Sequence, residues 1–354
     1  MSSSYGKNIN ISIFGESHGN AIGLTVNGIK PGLKLDMAAI NSEINRRKPI
    51  EGISTPRKED DEIEILSGEF NGYTTGAPLT IIVRNKNTIS KHYDNSVMRP
   101  SHADYTGFVK YDGFNDYRGG GHFSGRITLP IVIAGAICKL ILKKNGISVR
   151  SRIKSIGSVV DEGIFEQYQE NSFTYSDASW EKMKEEILNA RENQDSVGGI
   201  VEGFIDGVPV GVGEPFFDSV ESVLSHLLFS IPAVKGVEFG RGFEFANMLG
   251  SKANDEFVYD NEKVTTRTNN NGGINGGITN GNMIVTSVCI KPTPSISKVQ
   301  KTVDIEKKEN VEYQINGRHD PCIVPRALVV VEAMLAIGIL DLYLDYLAAK
   351  GLNV

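Results

Sequence analysis

Two histidines stand in short polar loops, His18 within Gly15-Glu16-Ser17-His18-Gly19 and His102 within Arg99-Pro100-Ser101-His102-Ala103-Asp104-Tyr105. Imidazole titrates near neutral pH, so two of them beside small residues and near glycine-rich loops suggest proton transfer. A lone loop histidine, by contrast, is usually a solvated side chain. Arg318-His319-Asp320-Pro321-Cys322 sets a cation, an imidazole and a carboxylate before a long apolar run. That cluster serves equally as a cap and ion pair at a helix start or as chemistry. Arg118-Gly-Gly-Gly-His122-Phe123-Ser124-Gly125-Arg126 precedes a second apolar run. Consecutive glycines before a helix can aim backbone N–H groups at an anion, although glycine triplets are often only flexible turns. Lys291-Pro292-Thr293-Pro294-Ser295 offers a cation and two hydroxyls on a stiffened loop, which suits a phosphate, as do many surface loops. Gly15–Gly19 also fits the hydrolase pattern G-x-S-x-G. A nucleophile elbow, however, belongs after several strands and an earlier oxyanion-hole loop, and one strand precedes this segment. A strict G-x-G-x-x-G, a Walker A motif, a C-x-x-C and metal-ligand spacings are all missing from the sequence. The residue types point to anions and proton transfer, and no further.

These loops need elements to hold them. Asn8–Phe14 alternates polar and apolar residues, the period of a half-buried strand. Asp36 can cap a helix running through Arg47, with Met37, Ile40 and Ile44 on one face. Arg46 and Arg47 then lie at its C-terminus, where they complement the helix dipole or meet an anion. Glu62–Leu66 and Leu79–Val83 read as strands, and Ile200–Val212 as two short strands about Asp206-Gly207, a two-residue hairpin signal. Asp218 is placed to cap a helix carrying Val220, Leu224 and Leu228. Pro325 suits the first turn of the last long helix and Gly351 its end. Strands and helices mix without a steady β-α-β rhythm, which favours α+β over a doubly wound sheet.

The composition is that of an ordinary folded chain: 354 residues, 40% apolar and 23% charged. Cys138, Cys289 and Cys322 are scattered and odd in number, against a secreted disulfide framework. The first residues lack a signal peptide's pattern. The most apolar stretches, Thr128–Leu142 and Ala327–Leu340, fall short of the roughly 20 residues needed to cross a bilayer and read as buried helices. A net charge of −6 argues against a nucleic-acid partner while leaving room for a local basic pocket. The chain, residues 1–354, reads as a single domain, with Glu162–Asp195 as a polar surface excursion.

Taken in order, GESHG (15–19), RPSHADY (99–105), the glycine–Ser124–Arg126 loop, SIPAVKG (230–236), GGINGG (272–277), KPTPSI (291–296) and GRHDPC–VPR (317–326) resemble the chorismate synthase family. The resemblance implies a β-α-β sandwich with helices between antiparallel sheets, assembled as a cytoplasmic homotetramer. It implies a lyase that eliminates phosphate 1,4-anti from 5-enolpyruvylshikimate 3-phosphate to give chorismate, with reduced FMN and no net redox change. That reaction ends the shikimate pathway towards aromatic amino acids, with no nucleic acid or membrane involved. His18 would protonate the departing phosphate. His102 would protonate or stabilise the reduced flavin near N1, and Asp320 and Ser17 would relay the proton at flavin N5. Flavin contacts would come from His122, Phe123 and Ser124, from Pro232 and Ala233, from Gly276, from Lys291, Pro292, Thr293, Pro294 and Ser295, and from Arg318. Arg47 would bind substrate or NADP together with Arg46, and Arg126 would face the substrate.

Three positions depart from the family pattern. His122 and Phe123 stand where many members have Arg-Ser, and Ile53 stands where many have an arginine that could meet a nucleotide phosphate. His122 can still donate one hydrogen bond, and the Phe123 ring either packs under the Thr128–Leu142 helix or touches flavin. With no dinucleotide fingerprint, the chain is expected to depend on flavin reduced by an external reductase or reductant. The competing readings are a net flavin oxidoreductase, a non-catalytic flavin- or phosphate-binding protein, and a serine hydrolase.

Overall fold

Ile22, Leu24 and Val26 alternate with more polar neighbours along Ala21–Asn27, and Leu79, Ile81 and Val83 do the same along Leu79–Arg84. Period-two burial of this kind makes one wet and one dry sheet face. These two strands pair antiparallel at the centre of a five-stranded sheet ordered Ser4–Tyr5, Asn10–Gly15, Ala21–Asn27, Leu79–Arg84, Ile63–Ser67. A second antiparallel sheet runs Val234–Phe239, Ile284–Ile290, Gly199–Asp206, Ser148–Ile156, Val159–Val160. The computed structural model describes residues 3–54, 61–86, 95–163, 169, 172–315 and 319–352.

Seven α-helices occur among the described residues: α1 Met37–Arg46, α2 Asp104–Lys110, α3 Thr128–Lys144, α4 Asp177–Glu192, α5 Val220–Phe229, α6 Gly250–Ala253 and α7 Val324–Ala349. Helix α3 packs on the first sheet through Asn10–Gly15 and Ala21–Asn27, α7 packs on the second through Ser148–Ile156 and Gly199–Asp206, and the two helices pack on each other. The result is the expected sandwich, with helices between antiparallel sheets. Where α3 meets α7, a Cβ on Gly135 would fall 2.3 Å from that of Ala333, so only glycine permits this approach. Each fully buried Ile or Leu of this layer, Leu129, Ile133 and Leu335 among them, contributes about 1.5–3 kcal/mol.

Helix α7 is longer than its apolar run suggested. Its 26 residues suffice to span a bilayer by length and composition, yet 94% of its most apolar window is buried inside the fold. Its polar residues explain the difference. Asp341 accepts from the backbone N–H groups of Lys7, Asn8 and Ile9, and the buried Glu332 anchors an ion cluster between helices.

Two local expectations are corrected. Ile200–Val212 is not a hairpin: Gly199–Asp206 is one central strand, and past Gly207 the chain leaves the sheet. Pro209 has no N–H for a ladder, and Val212 bonds instead to Thr279. Helix α5 is capped by Ser219, whose hydroxyl accepts from Ser222 N at 3.1 Å, and not by Asp218 one residue earlier. The other signals hold. Asp36 caps α1 by accepting from Ala39 N, Pro325 sits in the first turn of α7, and Gly351 takes a positive φ just past its end. Within the expected excursion, α4 buries Met183 and Ile187 in the main core.

Candidate active site

GESHG does not lead from a strand into a helix, as a hydrolase elbow would. It joins two antiparallel neighbours, Asn10–Gly15 and Ala21–Asn27. The turn is held from outside: Asn85 donates its side-chain amide to Glu16 O at 3.0 Å and Gly19 O at 2.9 Å. Ser17 and His18 are buried, and Ser17 N donates to Gly121 O at 3.1 Å. The glycine run is what brings the histidines together. Gly119 has φ 61°, and a Cβ there would lie 2.5 Å from His18 Nε2. A Cβ on the next residue, Gly120, would lie 3.5 Å from the His102 ring. A side chain at Gly119 would push into the His18 ring, and both residues hold a positive φ that favours glycine, so adjacent glycines floor the site beside the two imidazoles.

His102 is oriented by its own loop. Asp104 Oδ1 lies 2.7 Å from His102 Nδ1 and also accepts from Arg99 Nη2 at 2.7 Å. Arg99 Nη2 comes within 3.1 Å of the same His102 nitrogen. A ring N–H pointing at the carboxylate cannot also accept from a guanidinium, so the shorter Asp104 contact defines the tautomer and the Arg99 approach follows from sharing Oδ1. The proton then sits on Nδ1, and Nε2 lies on the Gly120 side. Burial alone would raise the Asp104 carboxyl, but its bonds to His102 and Arg99 and their charges hold it well below the ordinary carboxylate range.

These groups share one cleft of about 1710 Å³. Of the catalytic candidates, Ser17, His18, His102 and Asp320 all line it. So do His122, Phe123, Ser124, Pro232, Ala233, Lys291, Thr293, Pro294 and Ser295. Arg47 and Arg126 line it as well. Asp320 pairs with Arg326, whose Nε donates to Arg47 O at 3.0 Å, so the carboxylate is tied to both α7 and the end of α1. Arg126 is buried, bonded to Asn85 and paired with Asp61. Lys291 donates to Ser101 O at 2.7 Å; burial pushes its ammonium pKa down, and the nearby charge of Lys235 pushes the same way. Ser101 and Ala233, both on the wall, hold φ of 60° and 74° without being glycine, backbone strain of the kind that gathers at functional sites.

Some candidates are placed elsewhere. Arg46 faces a buried cluster, bidentate to Glu332 at 2.7 Å and bonded to Glu43. Gly276 sits in the turn between Asn275 and Ile278, and Pro292 packs beside Gly198, both off the cleft wall. Arg318 lies outside the described residues. The two departures act within the fold. His122 bonds Gly15 O through Nδ1 at 2.8 Å and Ser3 Oγ through Nε2 at 3.0 Å, so the one donation left to it is spent on Gly15. The Phe123 ring lies against Gly107 and Tyr111 of the α2 segment, 6.1 Å from the Tyr111 ring. Arg99, Asp104 and Arg326 were not singled out from the sequence, although all three stand inside recognisable motifs. Asn85 and Asp61 carried no signal, since nothing local says what they reach.

The chorismate synthase family model matches residues 9–344 of this chain. The chain belongs to the chorismate synthase family. A chorismate synthase of Thermococcus gammatolerans is 48% identical over 353 residues, covering 98% of this chain and 99% of that protein. One of Pyrococcus abyssi is 48% identical over 341 residues, covering 95% and 96%. A crystal structure of chorismate synthase aligns with a TM-score of 0.74 at 29% identity, covering 97% of this chain and 94% of the other. Family membership thus rests on nearly the whole chain, and the family's motifs, the 272–277 segment apart, contribute residues to one cleft.

Proposed function

We propose that this cleft eliminates phosphate from 5-enolpyruvylshikimate 3-phosphate to form chorismate with reduced FMN bound alongside. The observation that carries the reading is the pair Gly119–Gly120, which sets His18 and His102 on either side of one glycine floor. The cleft's size, its cations and two buried wall atoms without partners, Thr293 Oγ1 and His319 Nε2, fit a polar ring ligand with a phosphate. Lys291, Thr293 and Ser295, with Ser124, Pro232 and Ala233, would hold the flavin, and Arg318, Gly276 and Pro292 are kept as proposals from the family pattern. The chemistry the reduced flavin supplies when bound is electron donation to the breaking C–O bond without net redox change. His18 gives its proton to the departing phosphate oxygen. His102, oriented by Asp104 at its Nδ1, would present its other nitrogen to the flavin near N1. Ser17 and Asp320 move the proton at N5. Arg47 and Arg126 bind the anionic substrate in a cleft shielded from bulk water, where guanidinium groups are most effective.

The reductant is proposed to be external, because the family arginine position holds Ile53, which is buried at 4% exposure in the core. A homotetramer in the cytoplasm is the proposed state, and exposed Phe216, Phe217 and Phe243 supply apolar surface for subunit contact. The decisive experiment mixes the protein anaerobically with dithionite-reduced FMN and 5-enolpyruvylshikimate 3-phosphate. Chorismate should form over many turnovers while the flavin stays reduced, and FMN with NADPH alone should give neither bleaching nor chorismate. No chorismate with reduced FMN would remove the reading, and chorismate from NADPH alone would remove its external-reductant part.

A further inference from the structure

Among the described residues, two buried side-chain atoms on the cleft wall have no hydrogen-bond partner, Thr293 Oγ1 and His319 Nε2. Such atoms are rare in folded proteins, and at a cleft they mark where a ligand completes the bonding. The two stand on neighbouring segments stitched by a third: Ser196 donates to Thr293 O at 2.7 Å and Val197 N donates to Pro321 O at 2.8 Å. Arg99 reaches Ser295 Oγ on the same wall at 3.4 Å. The family resemblance already gives the Lys291–Ser295 loop to the flavin, but it gives His319 no role.

The character of the Nε2 atom follows from its surroundings. Neutral imidazole offers one N–H and one lone pair. Arg99 and His102 act on His319 as positive charges, Asp104 being shared between those two, and Asp320 opposes them while itself paired with Arg326 of α7. Burial pushes the His319 pKa below its ordinary value, and the two cations push the same way. A lone pair facing cations is favoured over an N–H facing them, and a buried acceptor without a partner costs less than a buried donor. We propose that His319 is a further ligand-binding residue of this cleft, its Nε2 accepting a hydrogen bond from an N–H of the flavin or an O–H of the substrate. The inference rests on the function proposed above.

The test uses the full chain and its His319→Ala and His319→Gln variants, since the Gln carbonyl can restore an acceptor. FMN and 5-enolpyruvylshikimate 3-phosphate are titrated separately at neutral pH. For one ligand, the Ala variant should raise the dissociation constant about fivefold, the worth of one net hydrogen bond, and the Gln variant should recover most of it. Which ligand responds identifies the donor. In wild type with ¹⁵N-labelled histidine, the His319 Nε2 resonance should move when the same ligand is added, a readout independent of how the variants fold. If wild type binds both ligands while that resonance stays still and the Ala variant binds them unchanged, His319 has no such role. If wild type binds neither ligand, the proposed function fails and this inference with it.

Discussion

Asp104 serves Arg99 and His102 with one carboxylate, so the orientation of the His102 ring depends on a neighbour in its own loop. Replacing His102 or His18 with Ala should slow turnover by about 10²-fold or more, the usual worth of general acid–base catalysis. Asp104→Asn should slow it in the same direction while leaving the imidazole in place, because the carboxylate that holds the Nδ1 proton is gone. Steady-state rates with reduced FMN check all three, and near-wild-type turnover in any variant removes that residue from the mechanism. Phe123→Ser restores the family's common residue, but the ring's contacts with Gly107 and Tyr111 indicate packing. The expected outcome is a loss of about 1 kcal/mol in urea unfolding, that of a half-buried ring, with little gain in FMN affinity. A marked gain in affinity at unchanged stability would reverse that assignment. The histidines were legible because imidazole in a polar loop is chemically conspicuous. Their partners were less so: Asp104 lies two residues from His102, yet one-dimensional spacing cannot say that its oxygen reaches Nδ1. Asn85, which reaches the GESHG turn from just past the end of Leu79–Arg84, was invisible for the same reason.

At the level of elements, Glu332 joins the sandwich's inner layer. It is buried on α7 and bonds Arg46 at the end of α1, Lys139 of α3 and Ser151 of Ser148–Ile156. Burial alone would raise its carboxyl, but Lys139 and Arg46 more than offset this and bring its pKa down to about 2 from 4.5. The folded pKa is depressed, so this stabilisation is complete above the unfolded value and is lost as pH falls through the folded one. Glu332→Ala leaves Arg46 and Lys139 sharing Glu43 alone and should cost up to about 3–5 kcal/mol, measured by denaturant unfolding at neutral pH. It should also flatten the decline in stability below about pH 4.5. A variant as stable as wild type would show the cluster to be energetically idle. The cluster also turns Arg46 away from the cleft while Arg47, one residue on, faces it. Sequence could place both at a helix end but not separate them, because their directions are set by partners 81 to 286 residues distant. Helix boundaries were legible from caps and prolines. The Ile200–Val212 hairpin was misread because Asp-Gly is a strong turn signal whatever follows it, and here Pro209 follows.

On the scale of the whole molecule, a chain of net charge −6 gathers Arg47, Arg99, Arg126, Lys291 and Arg326 on one cleft. The layered architecture that makes this possible followed from the family resemblance, because period and composition alone reached only α+β. The gathering has a consequence for Arg126, whose cation is meant for a polyanionic substrate but is paired in this structure with Asp61. Both side chains are nearly inaccessible, at 7% and 4% exposure. Arg126→Ala by itself therefore removes a substrate contact and also strands a buried carboxylate, and truncating one partner of such a pair costs about 3–5 kcal/mol. A lower melting temperature in that variant would say nothing about substrate. The double variant Asp61→Asn/Arg126→Ala separates the two effects, because neutralising the stranded carboxylate removes most of the desolvation penalty. It should melt closer to wild type than Arg126→Ala does. Bound substrate raises the melting temperature in proportion to its affinity, so the substrate-induced shift should be large in wild type and much reduced in both variants lacking Arg126. Asp61→Asn alone keeps the guanidinium and loses a competing anion, so its shift should equal or exceed that of wild type. The same melts with and without 5-enolpyruvylshikimate 3-phosphate report all four proteins. A double variant with a wild-type shift would show that Arg126 holds Asp61 and nothing else.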